Sequence, residues 1–129
     1  MIILDENILD GKRMLLDSWR LAPKQIGLDI SRKGLKDEEI IPLLRQLHDP
    51  TFFTRDVGFY DRKLRHRKYC LGLTNVGQNE VAAFIRRFLR HPNFDTRAKR
   101  MGLVVRISHS GVAYWRARAQ TEIHTAWTR

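Results

Sequence analysis

Short apolar runs alternate with amphipathic segments along most of this chain. "MIILD" opens it with β-branched residues bounded by polar ones and predicts a buried strand. In "ILDGKRMLLDSWR", Ile8, Leu15, Leu16 and Trp19 fall on one helical face, with Asp10-Gly11 delaying the start. "QIGLDIS" predicts a second short strand. "DEEIIPLLRQL" predicts a helix with Ile40, Leu43, Leu44 and Leu47 inward and Pro42 confined to its first turn. "PTFFT" and "KYCLGLTN" predict strands three and four, separated by a polar, turn-rich stretch at 57–67. "NEVAAFIRRFLRH" is the clearest helix, with Val81, Phe84, Ile85, Phe88 and Leu89 in one stripe and Arg86, Arg87 and Arg90 turned outward. "LVVRISHSGVAYWRA" predicts a hairpin around "SHSG".

This βα rhythm predicts an α/β fold, a mainly parallel sheet with helices on both faces, and a C-terminal β-hairpin. In such sheets ligands bind beyond the carboxyl ends of the strands. The predicted strands end there in Asp5-Glu6, Asp56 and Asn75, and Asp37-Glu38-Glu39 opens the second helix at the same edge. Clustered carboxylates repel by about 4 kcal/mol per pair at 4 Å and an effective dielectric near 20. A divalent ion held by oxygen ligands would offset that; magnesium and manganese match the donors. Each acid also has a plain structural role open to it: Asp37–Glu39 as helix-start acids, Asp56 as the cap of the next turn, Asp5 as an arginine partner.

The 129 residues suit one domain, 1–129, without repeats or linkers. No apolar run approaches the roughly 20 residues of a membrane span. The single cysteine, Cys70, reads as a packed thiol, and the early acid in "MIILDEN" argues against a signal peptide, so the expected location is the cytoplasm. Charge is divided unevenly. Residues 1–60 carry nine Lys/Arg and ten Asp/Glu, residues 61–129 fifteen and four. A basic half of this kind attracts polyanions. His66 and Cys70 are four apart but lack a second pair at zinc spacing, and His109 in "SHSG" lacks an evident acid to orient it. Trp115 and Trp127 come late, after the core strands, and suggest self-association as a homodimer; completion of the monomer core is the equal alternative.

"IILDEN", "LKDEEII" and "FFTRDVGFY", in that order, resemble the PIN-like nuclease superfamily, in particular a small bacterial "LDEN…TRD" branch related to VapC-type toxins. The resemblance covers residues 1–90; 91–129 is a basic extension with the hairpin. It implies a three-layer domain, an acidic pocket for Mg2+ or Mn2+, metal-dependent endoribonuclease activity on RNA, and an antitoxin protein as partner. Carried over by position, Asp5, Asp37 and Asp56 are the catalytic and metal-binding acids, with Glu6, Glu38, Thr54, Asp61 and Asn75 supporting. Arg55, Arg62, Lys63, Arg65, Arg67 and Lys68 are the RNA-binding candidates, and Phe59 and Tyr60 could stack on bases. The chain departs from the family at Gly58, where a second acid often stands. That departure leaves a non-catalytic RNA-binding or protein-interaction module as the alternative.

Overall fold

A computed structural model describes residues 1–127. Its elements are β1 (Ile2–Leu4), α1 (Asp10–Ser18), β2 (Lys24–Gln25), α2 (Asp37–Gln46), β3 (Thr51–Thr54), β4 (Cys70–Thr74), α3 (Val81–Arg90), α4 (Arg97–Arg100), β5 (Val104–Ser108), β6 (Gly111–Trp115) and β7 (Ile123–Ala126). Among the described residues they form one seven-stranded sheet in the order β2-β1-β3-β4-β5-β6-β7. The pairs from β2 through β5 are parallel; β5–β6 and β6–β7 are antiparallel. β5 is therefore an integral strand of the sheet, and β7 was not expected from the sequence.

Strand alternation sends Phe52 and Phe53 to opposite faces, each fully buried. On one face Leu4, Phe53, Cys70 and Val105 pack with Leu16 of α1 and Val81, Phe84, Ile85 and Phe88 of α3. On the other, Ile3, Phe52, Leu71 and Val104 pack with Ile40 and Leu44 of α2 and with Phe59. The β2–β3 and β4–β5 connections step the same way across the sheet, yet α2 and α3 lie on opposite faces. The two crossovers thus have opposite hand, whereas parallel crossovers are nearly always right-handed. One consequence is that, among the described residues, no α-helix covers the α2-side face beyond β4; the 60–65 segment reaches its margin.

Several local expectations change. Leu15 is exposed and only Leu16 of α1 is buried, because the helix starts at Asp10 and Ile8 packs from the loop before it. The second strand shortens to Lys24–Gln25, and Ile26 bridges only to Ile30. Leu43 and Leu47 are half-buried. Pro42 lies in the second turn of α2, where its missing N–H removes one helical bond; the exposed face it occupies lets water serve the freed carbonyl. The 57–67 stretch forms two short 3-10 turns, Val57–Phe59 and Arg62–Leu64. No helix among the described residues is long and apolar enough to cross a membrane.

Candidate acidic site

Asp5 follows β1 directly. Its backbone N–H continues the ladder to Phe53 O at 2.9 Å, so the strand fixes the residue's backbone. The residue is only 6% exposed, and its Oδ2 accepts a 2.6 Å hydrogen bond from the Thr54 hydroxyl. The Thr54 oxygen in turn accepts the backbone N–H of Asp56 at 3.0 Å. An ionised carboxylate can only accept, so with Asp5 charged the hydroxyl proton points at Asp5. The result is a directed chain, Asp56 N–H to Thr54 O–H to Asp5 carboxylate. Thr54 is fully buried, and its own carbonyl accepts the Thr74 hydroxyl at 2.9 Å, which ties the ends of β3 and β4 together.

Burial pushes the Asp5 carboxyl above its ordinary range. The Thr54 hydroxyl and the Glu6 backbone oppose that shift, and the charges of Asp56 and Glu6 add to it. Asp37 is the first residue of α2 and projects from the helix start. Partial desolvation, a side-chain hydrogen bond with Asp56, and the charges of Asp56, Asp5 and Glu38 hold its carboxyl above the ordinary range too. The structure thus brings Asp5, Asp37 and Asp56 into one electrostatic cluster at the carboxyl edge of the parallel strands. Among the described residues, no Lys, Arg or His forms an ion pair with any of the three; the ion pairs engage Glu39, Asp49, Asp95, Glu80 and Glu122.

Asp56 is also a cap. Its Oδ1 accepts the Gly58 N–H at 2.9 Å and starts the Val57–Phe59 turn. A Cβ built on Gly58 would stand 3.2 Å from that same oxygen. Gly58 thus donates a hydrogen bond where the family pattern often carries an acid, and a side chain there would crowd Asp56. Beside the cluster, Asp37, Glu38, Ile41, Gly58, Phe59 and Leu64 line a cleft of about 320 Å³ with a mostly apolar floor.

The supporting residues divide. Glu38 lies at the cleft mouth. Glu6 adds charge near Asp5, but its Oε1 is held by the Gly34 N–H at 2.8 Å. Asp61 caps Lys63 N at 2.8 Å and does not join the cluster. Asn75 is exposed past β4, its backbone bonded to Ile107 O. Of the basic candidates, Arg55 is folded back onto Val76 O at 3.1 Å. Arg65 is clasped to the carbonyls of Arg62, Arg116 and Ala119. Arg62, Lys63, Arg67 and Lys68 remain exposed. Phe59 is buried edge-on against Phe52, so it is core, not a base-stacking surface; Tyr60 is half-buried with its hydroxyl on Glu122.

Of three further features, His109 differs from the sequence reading, Cys70 is the packed thiol expected, and Trp127 follows the monomer-core alternative. His109 does face an acid, Glu80, at 2.8 Å, which the fold brings across from the start of α3. Cys70 is wholly buried, its thiol pushed up to about 12 by desolvation, while His66 stacks on Tyr69. Trp127 packs against the core and donates to Ser108 O at 2.7 Å, and Trp115 lies beneath Arg62 and Arg65, so both tryptophans are engaged within one chain. Arg106 was missed by sequence reasoning. The available signal was the alternation in "VVRIS", which sets a charged residue mid-strand and so marks an open face.

The donor chemistry fits a small hard cation: a buried carboxylate at Asp5, a half-buried one at Asp56 and an exposed one at Asp37, with the Asp5 and Asp37 carboxyls raised and no ion-paired cation among the described residues. As they stand, no three His, Cys, Asp or Glu side chains among the described residues form a ready coordination shell. Two of the carboxylate oxygens are taken, Oδ2 of Asp5 by Thr54 and Oδ1 of Asp56 by Gly58. No protein-family model, curated protein or solved structure matches the chain.

Proposed function

We propose that the chain is a PIN-like, metal-dependent endoribonuclease, acting as the toxin of a bacterial toxin–antitoxin pair. The observation that carries the reading is the set of three carboxylates at one sheet edge without a compensating cation. Asp5, Asp37 and Asp56 would hold Mg2+ or Mn2+, which when bound supplies Lewis-acid stabilisation of phosphoryl oxygens and an acidified water. Thr54 keeps the Asp5 carboxylate in one orientation. Asp56 is set by the turn it caps. Asp37, on a helix start and partly exposed, has a carboxyl poised to hold or release a proton beside the scissile phosphate. The apolar cleft next to Asp37 can seat a nucleobase while the phosphate lies over the acids. The toxin role and the antitoxin partner rest on the resemblance alone.

The test is incubation of mixed RNA with the wild type and Asp5→Asn, with manganese or with EDTA. Cleavage by the wild type in manganese alone supports the reading, and its absence refutes it. A second reading, a non-catalytic RNA-binding or protein-interaction module, is favoured by Gly58, whose N–H already occupies one Asp56 oxygen. Thermal melting separates the two. A metal site raises the melting temperature with manganese by mass action, and the module leaves it unchanged.

A further inference from the structure

Because α3 lies beside α1, the opposite face of the sheet has no α-helix over β5, β6 and β7 among the described residues; only the short turn at Arg62–Leu64 reaches its margin. A cleft of about 420 Å³ lies there, lined by Arg106, Ser108, Gly111, Ala113, His124 and Ala126 among others. Register sets Arg106, Ala113 and His124 in one row across three strands, and Ser108, Gly111 and Ala126 in the next. The floor is therefore made of small residues, with cationic or titratable groups at its sides. Two guanidiniums rest on aromatic rings at its margin: Arg106 over Tyr60 at 5.3 Å and Arg62 over Trp115 at 5.5 Å. Neither is in an ion pair among the described residues.

The acids of this half are already engaged. Asp61 caps a turn, Glu80 meets His109, Asp95 meets Lys99, and Glu122 meets both Tyr60 and His124. These contacts leave Asp61 and Glu122 charged, but the guanidiniums of Arg62, Arg65 and Arg106 outnumber them on this face, so it is net positive. Tyr60 also follows directly on the Val57–Phe59 turn that Asp56 caps, so the cleft begins one short turn from the acidic cluster.

We infer that this open face of β5–β7 binds single-stranded RNA and leads it toward the acidic site. The inference rests on the ribonuclease reading for the destination of the strand, but not for its binding. A guanidinium within cation–π distance of an aromatic ring offers, with that ring, a surface for an unpaired base and N–H groups for phosphates. A duplex has no splayed bases to place there. Negative charge on the ligand complements a face on which guanidiniums outnumber carboxylates.

The experiment measures anisotropy of a fluorescein-labelled single-stranded oligoribonucleotide with the full chain in EDTA, across salt concentrations. Wild type, Arg62→Gln/Arg106→Gln and Arg86→Gln/Arg90→Gln are compared, and folding is checked by melting. Binding is expected to weaken about tenfold in Arg62→Gln/Arg106→Gln, with the salt slope falling by about 1.4 for two lost phosphate contacts on a single strand. The α3 variant should bind like the wild type. Photocrosslinking of a 4-thiouridine oligonucleotide should label peptides from β5 to β7. Wild-type affinity in Arg62→Gln/Arg106→Gln, loss confined to the α3 variant, or equal competition by polyglutamate would each overturn the inference. Because no metal is present, failure of RNA cleavage leaves this result standing, and cleavage with unaltered binding by the variant refutes the face alone.

Discussion

Thr54→Val is the most informative single substitution. It keeps shape and burial but deletes the hydroxyl that donates 2.6 Å to Asp5 and accepts 3.0 Å from Asp56 N–H. A hydrogen bond to a charged group contributes about 1.5–3 kcal/mol, and an orphaned, half-buried N–H costs roughly 1 kcal/mol more. The sum is about 3 kcal/mol when Asp5 is ionised. For a chain of this size 1 kcal/mol moves the melting temperature by about 4 °C, so the expected drop at pH 8 in EDTA is about 12 °C. At pH 3, below the ordinary carboxylate value and so below the raised one of Asp5, the lost bond is mostly one to a neutral carboxyl and the drop should fall by about half. Thr54→Ser keeps the hydroxyl and loses a buried methyl, about 0.8 kcal/mol, hence about 3 °C at either pH. Differential scanning fluorimetry of the three proteins at both pH values decides it. Equal losses for Thr54→Val at pH 3 and pH 8, or a smaller loss than Thr54→Ser, would refute the directed chain from Asp56 through Thr54 to Asp5.

Asp5 and Asp37 both titrate above the ordinary carboxylate range. Their contribution to stability is therefore fully present below the unfolded value and is lost as pH rises through the folded one. Asp5→Asn/Asp37→Asn in EDTA should lose less stability than the wild type between pH 4 and pH 7, read as melting temperature against pH. Asp56→Asn keeps an oxygen to accept the Gly58 N–H, so its melting temperature in EDTA should stay within about 2 °C of wild type, a cap-preserving change, while manganese-induced stabilisation disappears. Gly111→Ala places a Cβ 2.2 Å from Thr125 O at a φ of 142°. It should strip β7 from the sheet edge and lower stability by at least about 2 kcal/mol, seen in melting and in amide exchange at 123–126. Cys70, wholly buried with its thiol raised to about 12, should resist Ellman's reagent in the native state and react only at the unfolding rate.

Periodicity alone made much of this fold legible. The α3 stripe had a single solution, because only a one-sided helix buries Val81, Phe84, Ile85 and Phe88 together. "TFFT" had to be a central strand, since two adjacent phenylalanines can both be buried only if each face of the sheet is covered. Acids at strand ends were visible for the same reason: the pattern says where a strand stops and which residue follows. What the pattern could not contain is contact between segments far apart in the chain. Asp37 meets Asp56 because α2 crosses from β2 to β3 and returns its start to the sheet edge. Thr54 links Asp5 to Asp56 because β1 and β3 pair in one register. Glu80 reaches His109, Arg55 turns back to Val76, and Glu122 holds Tyr60 through loops whose course carries no periodic signal. The face chosen by α3 belongs with these. Its stripe packs equally well against either side of β4 and β5 as far as sequence can tell, and the contact with α1 decided it, leaving β5–β7 open on the other. Local patterning is set by which side chains avoid water; the site is set by which distant segments the sheet order brings to one edge.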